Sequence, residues 1–134
     1  MADLETLATT MGIRIVESNR LDRSLNACWH APSRTVYVRY NLDPVTWRCA
    51  VAHELGHAHN GDECSTERAE RAADEYAART LLDLHNVMEA SYYNDGAPSA
   101  VAAELGVTPH LLSVWQQMYA AGRIPTNTWC ELRD

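Results

Sequence analysis

Apolar residues recur at helical spacing over residues 2–11, where Leu4, Leu7, Ala8 and Met11 share one face and Gly12 ends the run. The period then changes. Ile13-Arg14-Ile15-Val16-Glu17 reads as a short strand, and the polar residues 18–26 read as a loop. Two β-rich runs follow, Ala27-Cys28-Trp29-His30-Ala31 and Thr35-Val36-Tyr37-Val38-Arg39-Tyr40. Pro32-Ser33-Arg34 between them is turn chemistry, so the pair reads as a hairpin.

From residue 43 onward the pattern is helical. Asp43 suits an N-cap, Pro44 suits the first helical position, and Gly61 can take the left-handed cap that ends the helix. Ser65 is the expected N-cap of a long helix reaching about Leu84. Asn94-Asp95-Gly96-Ala97-Pro98 reads as a loop. Two short helices, 99–105 and 109–121, are joined by Gly106-Val107-Thr108, and Thr108-Pro109 repeats the cap-then-proline start. Residues 126–134 carry no clear signal, and there is no internal repeat. The expectation is one α+β domain over residues 1–134: a small antiparallel sheet near the N-terminus, packed on a helical core that ends in a helical pair.

Composition narrows the function. A chain of 134 residues with 46% hydrophobic content supports a single ordinary core. A net charge of -7 makes it a poor general partner for phosphate backbones or anionic membranes. No run of about 18 apolar residues could span a bilayer. Met1-Ala2-Asp3-Leu4-Glu5 lacks the features of a secretory signal, so the cytoplasm is the expected location. Cys28, Cys49, Cys64 and Cys130 form no C-x-x-C pair and read as reduced thiols. Cys64 lies near the motif described next, but no second thiol stands at zinc spacing from it.

The chemistry concentrates at His53-Glu54-Leu55-Gly56-His57. Residues four apart lie one above the other on a helix, so the two imidazoles can converge on one ion. Glu54 sits about 100° round from His53, beside the ion, where it can take a proton from water. Chance would produce the pentapeptide in about 2% of chains of this composition, so a second signal is needed to set aside two merely structural histidines. Glu70 and Asp74 supply it. They stand four apart on the next helix, on a stripe that continues through Ala77, Ala78 and Leu81. Carboxylates on an inward face are costly unless something compensates them. An ion ligated by Glu70, and a histidine N–H donating to Asp74, would do so. The competing reading is a solvated face on which Arg68 and Arg71 pair with these acids.

With Glu70-Arg71-Ala72-Ala73-Asp74-Glu75-Tyr76-Ala77-Ala78 and the Leu81-Leu82 pair, the chain resembles the ImmA/IrrE-type metallopeptidases over about residues 4–119. The resemblance implies zinc, one per chain, held by His53, His57 and Glu70, with Glu54 as catalytic base. Three protein ligands leave a zinc position open, the layout of a catalytic site. It also implies a bacterial, phage or mobile-element setting, where such proteins act on a helix-turn-helix repressor. One departure stands out: many relatives place a proline soon after the Leu pair, and here none occurs before Pro98.

Tyr76, His85, Tyr92, Tyr93 and His110 are candidate oxyanion donors that sequence does not separate. His59 is about 200° round the helix from His57 and should point away from the ion. Residues 102–115 resemble a helix-turn-helix, but Glu104 and Arg123 are the only formal charges between Ala97 and Pro125. Two packed helices are therefore preferred to a DNA-reading head, and no direct nucleic-acid partner is expected. A protein that keeps the site but only binds a repressor, or a toxin in a two-gene module, remains an alternative to a protease. Trp29, Trp47, Trp115 and Trp129 could include an interface residue, and the oligomeric state is open.

Overall fold

A computed structural model describes residues 3–63 and 65–125, so Cys64, Trp129 and Cys130 lie outside the described residues. The chain runs α1 (Leu4–Thr10), β1 (Arg14–Ser18), β2 (Ala27–His30), β3 (Thr35–Arg39), α2 (Pro44–Asn60), α3 (Glu67–Leu81), α4 (Leu84–Tyr93), α5 (Pro98–Leu105) and α6 (Pro109–Ala120). The architecture is α+β, with one short helix before a sheet near the N-terminus and five helices after it among the described residues.

The sheet departs from expectation in one respect: it is mixed and not antiparallel. The expected hairpin forms, with β2 antiparallel to β3. β1 pairs in parallel with β3, in register Arg14↔Thr35 through Ser18↔Arg39, giving the order β1-β3-β2. The polar loop after β1 carries the chain past β3 to the far edge of the sheet. Arg39 secures that loop by donating to the Leu25 carbonyl at 3.0 Å through Nε. Val36 and Val38 of the central strand are fully buried beneath the helices.

Capping sets the helix boundaries. Asp43 accepts from the Thr46 N–H at 3.0 Å, and Gly61 closes α2 at φ 72°. α3 begins one residue later than expected, capped by Thr66, because the Ser65 hydroxyl is spent on Glu70 at 2.7 Å. It also ends earlier. Leu82 is extended, and Asp83 caps a separate helix by accepting from the Asn86 N–H at 2.9 Å. Asp83 thus opens a new helix directly after α3, and α4 follows where no helix was expected. The last two helices stand as anticipated. Leu111, Leu112, Trp115 and Met118 of α6 are buried, and α6 packs against α3.

Among the described elements, α2 and α3 form the most extensive pairing. Gly56 makes it possible: a Cβ there would lie 2.8 Å from the Ala73 carbonyl oxygen and 2.9 Å from the Ala73 Cα. These are backbone atoms, which no rotamer change can move aside. Gly56→Ala should therefore cost about 1–3 kcal/mol of stability, the usual range for overpacking. Chemical denaturation would measure it, and an unchanged midpoint would contradict the close approach.

Candidate metal centre

His53 and His57 lie on successive turns of α2 and face α3. Their rings stand 4.8 Å apart, nearly perpendicular. Glu70 reaches both: its Oε1 is 3.0 Å from His53 Nε2, and its Oε2 is 2.8 Å from His57 Nε2. One donor atom from each of the three residues falls within a 4.8 Å group. Tetrahedral zinc with bonds of about 2.0–2.1 Å needs donors roughly 3.3 Å apart, so small adjustments of these side chains would admit an ion. Two imidazoles and a carboxylate are also a donor set that suits zinc.

The other ring nitrogens fix the orientation. His53 Nδ1 meets Asp74 Oδ1 at 2.7 Å, and His57 Nδ1 meets Asp62 Oδ2 at 3.0 Å. With both Nδ1 positions donating to carboxylates, both Nε2 atoms are directed to the same point beside Glu70. Glu70 is steadied in turn by the Ser65 hydroxyl on its Oε2. No salt bridge among the described residues joins Arg68 or Arg71 to Glu70 or Asp74. Asp74 turns to His53, while Arg71 pairs with Glu67 at 3.7 Å on the outside.

Electrostatics follow from burial and these pairings. Burial opposes a charge on His53, but the hydrogen bond to Asp74 and the neighbouring Glu54 outweigh it and push the imidazole up to about 9. Burial raises the Glu54 carboxyl, with the two histidines acting against it. For Glu70, burial is outweighed by the Ser65 hydrogen bond and by His57, so the group is held below its ordinary value. Asp74 behaves likewise: hydrogen bonds from His53 and His110 prevail over burial and lower it.

Glu54, His57 and Glu70 line an open cleft of about 300 Å³. Its other walls come from β2 and the segment before it (Leu25, Ala27, Cys28, Trp29) and from the α2–α3 loop (Asp62, Glu63, Ser65). None of the five candidate oxyanion donors is among these lining residues. Tyr76 has its hydroxyl 3.9 Å from the Met11 sulfur, His85 is exposed beside Glu89, and Tyr92 and Tyr93 are exposed on α4. His110 contacts the second oxygen of Asp74 at 2.9 Å. His59 is exposed and lies against Tyr76, away from the cleft.

The IrrE N-terminal-like domain of the M78 peptidases, as a family model, matches residues 8–114. The chain belongs to this family. A solved structure described as a Mycobacterium tuberculosis transcriptional regulator shares the fold of this IrrE-like domain, with a TM-score of 0.62 at 15% identity. The likeness covers 83% of this chain and 39% of that one, so the chain spans well under half of the regulator's length. No curated protein matches the chain.

Helix phase could find Glu70 and Asp74, but it could not find Asp62, Ser65 or His110. Asp62 lies beyond the left-handed turn at Gly61, where helical periodicity stops. His110 lies 36 residues from Asp74 along the chain.

Two expectations follow for the IrrE-like site. Asp62→Ala and Asp74→Ala should each weaken divalent-metal binding about 10- to 100-fold, as loss of a histidine's carboxylate partner does elsewhere. Competition with a chromogenic chelator reads this directly. In protein stripped of metal, the charged His53 pairing stabilises the fold fully below about 6.5, the unfolded imidazole value, and is lost as pH rises through about 9. Stripped protein should therefore lose thermal stability across that window, and metal uptake at neutral pH should release protons. Uptake without proton release, measured in weakly buffered solution, would contradict the raised His53.

Proposed function

We propose that this chain is a zinc-dependent endopeptidase that acts in the cytoplasm on a protein substrate, a helix-turn-helix transcriptional repressor of bacterial, phage or mobile-element origin. The observation that carries this reading is the convergence of His53, His57 and Glu70, the last two of which line an open cleft together with Glu54. Membership of a peptidase family supports hydrolysis. The transcriptional-regulator description of the structural neighbour is consistent with a regulatory setting. No described helix is long and apolar enough to cross a membrane.

In this reading His53, His57 and Glu70 hold zinc, and Asp74 keeps His53 in the tautomer that presents Nε2. Zinc held there would supply Lewis acidity, acidifying water and polarising a carbonyl. Glu54 is the general base: burial raises its carboxyl above the ordinary value, the direction that suits a group that takes a proton from water and returns it to a leaving amine. β2 is an edge strand whose second side pairs with no described strand, and it walls the cleft. An extended substrate segment could align along that edge through main-chain hydrogen bonds.

Glu54→Gln separates the proposals. It should abolish proteolysis of the repressor and derepression, by at least about 100-fold in rate, while zinc and repressor binding persist. Full derepression by Glu54→Gln would remove the peptidase reading and leave a zinc-containing protein that displaces its partner by binding alone.

A further inference from the structure

α6 is fixed to α3 at two polar points. Near its start, His110 Nε2 lies 2.9 Å from Asp74 Oδ2. Just past its end, Arg123 forms a two-pronged pair with Glu75, at 2.8 and 2.6 Å. Between these points Leu111, Trp115 and Met118 are buried, so the backbone carrying His110 is held by the core. Thr108 caps the helix by accepting from the Leu111 N–H at 3.2 Å, which sets the direction of its first turn.

Asp74 is therefore a bridge. One oxygen receives the His53 N–H at 2.7 Å, and the other receives the His110 N–H at 2.9 Å. A carboxylate with one partner can still turn about its terminal bond and exchange that partner for water. A carboxylate gripped at both oxygens cannot, and its plane is fixed. The His110 side chain is 70% exposed, whereas that of Asp74 is 25% exposed and that of His53 only 18%. As a surface pair, His110 and Asp74 add little to global stability. Their position matters more, because the same carboxylate orients a ring whose Nε2 lies 3.0 Å from Glu70.

We infer that His110 is a positioning residue for the metal site, acting through Asp74 to hold His53 in its ligating orientation, so that α6 is part of the site's supporting structure. This rests on the reading that His53, His57 and Glu70 hold zinc. Wild-type zinc uptake tests that reading separately from the role of His110.

The test is zinc affinity by chelator competition on the full chain, for wild type, His110→Ala, His110→Gln, Asp74→Ala and the double variant His110→Ala/Asp74→Ala. His110→Ala should bind zinc about 3- to 10-fold more weakly, less than direct loss of a histidine's carboxylate partner. His110→Gln keeps an N–H at a similar reach and should recover most of the affinity. In the Asp74→Ala background the His110 substitution should have no further effect, the signature of coupling through that residue. Melting of the metal-stripped single variant should stay close to wild type, separating positioning from a general loss of fold. Wild-type zinc affinity in His110→Ala, or an equal loss with and without Asp74, would overturn the inference.

Discussion

The site depends on how closely α2 and α3 approach each other. Gly56 sets that distance, because the Ala73 backbone occupies the space a side chain at residue 56 would need. Glycine normally weakens a helix interior by roughly 0.5–1 kcal/mol relative to alanine. Here the cost is offset by close contact between two helices that both contribute fully buried residues to the core, among them Leu55 and Ala77. His53 and His57 flank Gly56 on one helix, and Glu70 and Asp74 flank Ala73 on the other. The separation of the two pairs is thus set by backbone contact and not by flexible side chains. That gives the preorganisation a metal site requires.

Two histidines and several carboxylates gathered at partial burial would be unfavourable in isolation. The arrangement answers this with pairing at nearly every polar atom: Asp74 and Asp62 on the Nδ1 atoms, Glu70 between the Nε2 atoms, and Ser65 on Glu70. No buried side-chain nitrogen or oxygen among the described residues lacks a partner. Glu54 differs from the other acids. Burial raises it while its neighbours are held low, and carboxylates driven apart in this way can take different chemical roles.

The α2–α3 loop does more than connect. Within six residues it provides the Gly61 turn, Asp62 for His57, Ser65 for Glu70 and the Thr66 cap of α3. It also forms one wall of the cleft, opposite β2. A substitution in this loop can therefore alter metal binding and substrate access together. At the other end of α3, Leu82 is extended and Asp83 caps α4, which leaves as a separate helix with Met88, Tyr92 and Tyr93 exposed.

The sequence by itself determined the features that rest on short-range physics. The caps Asp43 and Thr108, the Gly61 stop, the β2–β3 hairpin and the four-residue spacings of His53/His57 and Glu70/Asp74 all depend on a few neighbouring residues, and all are present. The tertiary structure decided what depends on distant partners. The β1–β3 pairing joins residues 21 apart and is parallel because the loop crosses to the far edge, a choice that local propensity does not encode. Ser65 looked like a cap until Glu70 claimed its hydroxyl, and Asp83 looked like helix interior until its carboxylate capped α4. Asp62 carried no pattern, and His110, named only among candidate oxyanion donors, carried none that pointed to Asp74. The first follows a turn that resets helical phase, and the second is delivered by a helix whose place against α3 is set by core packing.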